Sequence, residues 1–145
     1  MPAWVNTGVE EYTARMPLQL PIKLIEVAAE KRKSAMQQKK WQATESERML
    51  SMIPPKVDII IALERMGKAL STLQLAAHMQ TWHDHRQSIV FLIGGPEGLS
   101  DACVQKADLV WSLSALTMPH PLVRVVLSEQ LYRAWSININ HPYHR

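Results

Sequence analysis

Two unbroken apolar runs, IIIAL (Ile59 to Leu63) and IVFLI (Ile89 to Ile93), constrain this chain more than any other feature. A strand with one wet face alternates apolar and polar residues. These runs have no polar positions to offer, so both faces of each strand must be covered. Strands of that kind belong to parallel sheets, whose connections cross over through helices. VDIIIAL (Val57 to Leu63) and SIVFLI (Ser88 to Ile93) are therefore read as strands, together with LPIKLIEVA (Leu20 to Ala28) and LVWSL (Leu109 to Leu113).

Helical periodicity fills the intervals. It marks Trp4, Val5, Val9 and Tyr12, then Trp41, Arg48, Met49 and Met52, then Leu75, Ala76, Met79 and Trp82 with Ser71 as N-cap. A last helix starts at Pro121 and runs to Trp135, with an apolar face of Leu122, Val125, Val126, Leu131, Tyr132 and Trp135 wide enough to need packing partners. Alternating helices and strands in 145 residues imply one α/β domain, residues 1–145, with an open, mainly parallel sheet and helices on both faces. In such sheets ligands gather beyond the carboxyl ends of the strands. That directs attention to the loops after Leu63, Ile93 and Leu113.

Several function classes drop out. No run reaches the eighteen or so consecutive apolar residues that a membrane helix requires, and the opening MPAWVNTGVEEY lacks a secretory pattern. Cys103 is the only cysteine, which excludes an intrachain disulfide and fits a cytoplasmic setting. The net charge of +3 is a mild bias toward polyanions. It is concentrated in EKRKSAMQQKK (Glu30 to Lys40), where five Lys or Arg residues face one acid, as either a solvated face or an RNA phosphate contact.

GGPEG (Gly94 to Gly98) lacks the Gly-Lys-Ser/Thr of a phosphate loop and the spacing of a dinucleotide fingerprint. A plain turn and a ligand-facing corner both fit, and its place after a buried parallel strand favours the second. Ser100 should cap the short helix that follows, in which Cys103 is an inert core thiol. His78, His83 and His85 have neither cysteines nor metalloprotease spacing beside them, so no metal site is expected. The tail NHPYHR is unlike a disordered end, because His141, Tyr143, His144 and Arg145 are types that stack on bases, bind phosphate and move protons, a docked tail with no chemistry being the alternative.

LIGGPEGLS, WSLSALTMPHPLVRVVLSEQLYRAWSI and NHPYHR together resemble the RlmH family, the small bacterial SPOUT-class methyltransferases that modify N3 of a pseudouridine in 23S ribosomal RNA. The resemblance implies a C-terminal trefoil knot, a homodimer, and 23S ribosomal RNA of the large subunit or assembled ribosome as partner. Membranes and DNA are not expected partners. It implies S-adenosylmethionine as cofactor, held at Leu63, at Gly94, and along Leu113, Ser114, Ala115, Leu116, Thr117 and Met118. It further implies that the tail of one subunit completes the pocket of the other. The candidates there are His144 as proton acceptor or as organiser of a water, Tyr143 for stacking or orientation, Arg133 and Arg145 for phosphate or base carbonyls, and Arg145 and His141 for RNA contact. A ribose 2′-O-methyltransferase and a non-enzymatic ribosome-assembly factor on the same fold are the rival readings. Two departures stand out. The strand that opens family members is absent before Met1-Pro2-Ala3-Trp4, which predicts an unpaired edge or gap in the sheet. After Leu63, where the family has an acid, two residues and Gly-Lys, Glu64, Gly67 and Lys68 keep the frame.

Overall fold

The structure, a computed structural model, describes residues 1–29 and 38–145. Its elements are α1 (Ala3–Thr13), α2 (Gln38–Ser51), β1 (Ile59–Ala69), α3 (Thr72–Asp84), β2 (Ile89–Ile93), α4 (Asp101–Lys106), β3 (Leu109–Ser112) and α5 (His120–Asn138). They group into two compact units, one of Met1–Leu24, Leu70–Arg86 and Leu116–Arg145, the other of Ile25–Ala69 and Gln87–Ala115.

The first unit is helical, with α1 and α3 both packed on α5. Val5 and Val9 bury the inner face of α1, and Gly8 lets Val125 come close, since a Cβ there would lie 3.0 Å from Val125 Cγ2. Ser71 starts α3 with a reciprocal cap: its Oγ accepts from the Gln74 amide at 3.1 Å, and Gln74 Oε1 accepts from the Ser71 amide at 2.9 Å. Thr72 Oγ1 donates to Gln130 Oε1 at 2.7 Å, and Asn138 Nδ2 donates to the Ala76 carbonyl at 2.9 Å. These two bonds pin α3 to the middle and the carboxyl end of α5, while Leu75, Ala76 and Trp82 supply its buried face.

The second unit holds a three-stranded parallel sheet in the order β2-β1-β3. Its core gathers Ile60, Ala62 and Leu92 from one face of the sheet with Leu99 and Cys103, and Met49, Leu50 and Val104 from α2 and α4 pack against it. On the opposite face Ile61 and Trp111 are also buried. Both faces at the centre are thus shielded, as the unbroken apolar runs require. At roughly 1.5–3 kcal/mol per fully buried aliphatic side chain, this layer is the main stabiliser of the unit.

The amino ends of the strands are tied by carboxylates. Asp58 Oδ2 accepts from the Ser88 amide at 2.7 Å, joining β1 to β2. Asp108 Oδ2 accepts from the Ile60 amide, and the Asp108 amide donates to the Ile60 carbonyl, both at 2.8 Å, joining β1 to β3. No described helix is long and apolar enough to cross a membrane.

Two expectations are corrected. Leu20–Ala28 belongs to no strand and is largely exposed. Apolar content makes a strand possible, but only pairing makes one, and this stretch joins none of the three strands. The second correction concerns Leu63, which does not end β1. The strand continues to Ala69 through a register shift in which Leu63 and Lys68 both oppose Trp111. Glu64 to Gly67 form the bulge between them. Gly67 is required there, because a Cβ would lie 2.8 Å from the Val110 carbonyl oxygen. The three described strands contain no internal gap, since β1 is paired on both sides. Most of the basic segment, residues 30–37, lies outside the described residues, and its last members Lys39 and Lys40 are exposed in the first turn of α2.

Candidate active site

The register of the sheet brings three of the predicted loops to one end. Leu63 pairs with Ile93 on one side and Trp111 on the other, so Gly94 and Leu113 follow directly beyond the same row. Leu63, Gly94, Leu113 and Ser114 are half-buried there and Ala115 is exposed. Ser112 Oγ donates to the Ser114 carbonyl at 2.9 Å and shapes the exit of β3.

Beyond β2 the chain makes a tight turn, in which the Gly98 amide donates to the Gly95 carbonyl at 2.9 Å with Pro96 at the second position. Gly98 takes a φ of 75°, the left-handed region that favours glycine. The turn folds back onto Gly94, where a Cβ would lie 2.6 Å from the Gly98 carbonyl carbon and 2.7 Å from the Leu99 nitrogen. The bare Cα of Gly94 is therefore filled by the chain itself. Its neighbours differ: among the described residues, a Cβ on Gly95 would press on the end of a side chain, Glu45 Oε2, at 3.1 Å, whereas one on Gly98 would meet nothing within 4 Å. Helix α2 lies over this corner, with Gln42 Nε2 donating to the Glu97 carbonyl at 2.9 Å and to the Leu99 carbonyl at 3.2 Å. Ser100 Oγ then accepts from the Cys103 amide at 3.3 Å and starts α4, and Cys103 is fully buried.

The tail in the first unit is ordered by the way α5 ends. Asn140 has a φ of 58°, the Asn140 amide donates to the Ile137 carbonyl, and the His141 amide donates to the Ser136 carbonyl at 2.8 Å. This is a Schellman turn with Asn in the left-handed position, and it sends the chain back along α5. His141 and Tyr143 then pack against Tyr132, with ring centroids at 6.5 and 4.6 Å, both edge-on.

Glu129 organises the polar side of the tail. Its Oε1 accepts from Arg133 Nε at 2.8 Å and from the Tyr143 hydroxyl at 3.0 Å, while Oε2 accepts from Gln130 Nε2 at 2.7 Å. The Arg133 guanidinium lies 4.9 Å from the centre of the Tyr143 ring, and its Nη1 is 3.3 Å from His144 Nδ1. Because a guanidinium can only donate, His144 Nδ1 presents a lone pair. Burial, and then the hydrogen bond to Glu129, push the Tyr143 phenol up to about 12. The hydrogen bond from Arg133 to Glu129, followed by the carboxylate's charge, raises the already high Arg133 guanidinium further. Sequence reasoning missed Glu129, although its spacing of four from Arg133 on one helix face was a visible signal.

The predicted residues thus fall into groups. Leu63, Gly94, Leu113, Ser114 and Ala115 share the carboxyl end of the sheet in the second unit. Arg133, Tyr143 and His144 form one cluster in the first unit, where His141 and Arg145 are exposed. Leu116, Thr117 and Met118 belong to the first unit too, with Leu116 75% exposed. His78 stacks on Trp82 at 5.8 Å, and His85 Nδ1 lies 2.8 Å from the Thr81 carbonyl. The corner suits an adenosyl group: half-buried Leu63 and Leu113 offer apolar surface, and space stays open beside the main chain at Gly98.

Comparison with known proteins agrees with this chemistry. Residues 1–144 match the family described as predicted SPOUT methyltransferase. The whole chain is 48% identical to a ribosomal RNA large subunit methyltransferase H of Coxiella burnetii, covering 93% of that protein. Relatives of the same name in Thioalkalivibrio sulfidiphilus and Hahella chejuensis are 48% identical over the whole chain and are covered to 92%. The chain belongs to the SPOUT methyltransferase family.

Proposed function

We propose that this chain is an S-adenosylmethionine-dependent methyltransferase of large-subunit ribosomal RNA, acting on N3 of a pseudouridine. The observation that carries this reading is the 48% identity along its full length to large-subunit methyltransferases. A glycine corner at the carboxyl end of a parallel sheet supports it.

When bound, S-adenosylmethionine supplies an electrophilic methyl carbon on a sulfonium and leaves as a neutral thioether. Leu63, Gly94, Leu113, Ser114 and Ala115 would hold the adenosyl group, largely through main chain. N3 of the base carries a proton that must leave as the new bond to carbon forms. His144 takes it at Nδ1, whose lone pair faces Arg133 in the resting structure, so the Arg133 contact opens in the working state. Tyr143 remains a phenol at neutral pH and orients or stacks on the base instead of accepting its proton. Glu129 fixes Arg133, which faces base carbonyls or phosphate, and the exposed Arg145 and His141 contact RNA.

The protein acts in the cytoplasm as a homodimer with a C-terminal trefoil knot, the tail of one protomer completing the corner of its partner. Mixing a corner variant with a tail variant, each inactive alone, would then restore activity. The decisive experiment incubates the protein with labelled methyl donor and ribosomes from cells lacking the modification, followed by nucleoside analysis. Label in N3-methylpseudouridine is expected. Label on a ribose 2′-oxygen, or none in ribosomal RNA, would sink the reading.

A further inference from the structure

Residues Glu64 to Gly67 stand outside the ladder at the carboxyl end of β1, and the chemistry of methyl transfer gives them no task. Their foot is closed. Gly67 sits so tightly that a Cβ there would lie 2.8 Å from the Val110 carbonyl oxygen and 3.0 Å from that of Glu64. Glu64 is half-buried where the bulge begins, whereas Arg65, Met66 and Lys68 are exposed, Met66 to 80%. Among the described residues, neither Arg65 nor Lys68 is paired with a carboxylate. A single exposed apolar side chain is ordinary on a protein surface. Two unpaired cations beside it, at the end of the sheet where ligands gather, give it a different meaning.

The bulge leaves the sheet at Leu63, which shares its rung with Ile93 and Trp111, so it stands beside the loops that carry Gly94 and Leu113. Helix α2 brings further cations to the same end. Lys39 and Lys40 are exposed within one turn of Gln42, whose side-chain amide holds the Glu97 and Leu99 carbonyls. What fits such a surface is a polyanion with flat faces. A protein partner would bring a core of several apolar residues and few lysines, and the bulge offers one apolar side chain between charges. Single-stranded RNA offers phosphates and, between them, base faces that apolar side chains can cover. Methylation at N3, on the pairing edge of the base, requires the target to leave its stack, which bares the face of its neighbour.

We propose that the bulge of β1 is an RNA contact in its own right: Arg65 and Lys68 bind phosphates of the strand that carries the target, and Met66 packs on the base face left bare beside it. This rests on the ribosomal RNA substrate given above. The bulge takes no part in methyl transfer and acts on binding alone.

Binding of the full-length protein to large ribosomal subunits from cells lacking the modification, measured across a range of salt, tests this. Arg65→Gln and Lys68→Gln should each lower the slope of log affinity against log salt by about 0.7, the share of one phosphate on a single strand. Met66→Ala should keep the wild-type slope and raise KM for the subunits about fivefold, the low end of base stacking, with kcat and calorimetric affinity for S-adenosylmethionine unchanged. Met66→Leu should restore that KM. Lys56→Gln is the control, because it removes the same charge at the amino end of the strands, where the Lys56 carbonyl accepts from Ser88 Oγ. It should leave the slope as in the wild type. An equal fall in slope in Lys56→Gln would overturn the proposal by showing that only net charge matters. Weaker binding in Met66→Ala with both charge variants unchanged would overturn it in favour of an apolar protein partner on the subunit. Variants that bind like a wild type that methylates N3 would overturn it and leave the proposed function standing. A wild type that places no label in ribosomal RNA would bring down that function and this proposal with it.

Discussion

The glycine corner and the C-terminal tail are built from opposite materials. The corner is nearly bare main chain: Gly94 is packed against the backbone of Gly98 and Leu99, and Gln42 anchors it from α2. The tail is almost all side chain, with a carboxylate, a guanidinium, a phenol and an imidazole linked over one turn of α5 and the residues that fold back on it. Main chain cannot give way, so the corner tolerates no added volume at Gly94. Side chains can rotate, so the tail tolerates volume but depends on charge. The corner is made to be approached closely by something flat, and the tail to place charges and protons.

The largest expected effect tests the corner. Gly94→Val should cost about 3 kcal/mol or more of unfolding free energy, because a Cβ at 2.6 Å from a carbonyl carbon forces backbone to move. Gly95→Ala meets only the end of a flexible Glu45 side chain and should be far milder. Denaturant midpoints for the pair check this, and equal destabilisation would erase the distinction between a glycine walled in by main chain and one that faces a side chain. Next comes the tail. Glu129→Gln nearly preserves volume but removes the charge that Arg133 faces. It should lower methyl transfer by about a hundredfold through misplacement of Arg133 and Tyr143, with donor affinity unchanged. A loss of donor affinity equal to the loss of rate would contradict the division of labour between the two regions.

A smaller effect is expected at Asn140, whose left-handed backbone starts the return of the tail. Asn140→Val should cost about 1–2 kcal/mol, while Asn140→Gly should be close to neutral. Thermal melts of the two variants separate a conformational cause from a lost side-chain contact. The smallest effect is invisible at neutral pH. Tyr143 is pushed above the ordinary tyrosine value of 10 to about 12, so its contribution to stability is fully present below pH 10 and fades as pH rises through about 12. Alkaline absorbance titration should show a component near 12 that Tyr143→Phe removes.

Much of this was legible in the sequence, for reasons that differ by region. The apolar runs IIIAL and IVFLI predict a parallel sheet because their pattern is set by burial, and burial is written in each residue. Ser71 and Ser100 predict helix starts because capping is local. Leu20–Ala28 failed because strand membership depends on a partner far away in the chain. Glu129 escaped notice because its bond to Tyr143 spans 14 residues and closes only through a turn at Asn140, where Asn is a weaker signal than Gly. The reach of α2 over the corner was equally hidden, since Gln42 meets carbonyls 55 and 57 positions away.

The double partnership of Trp111, opposite Leu63 and again opposite Lys68, has a consequence of its own. Because the ladder stops and restarts at the same rung, Glu64 to Gly67 form a pouch whose length is uncoupled from the strands on either side. Residues can be gained or lost there without turning any core side chain of β1 outward. That makes the rim beyond Leu63 a place where the reach of this protein toward a bulky substrate can be altered while its frame stays as it is.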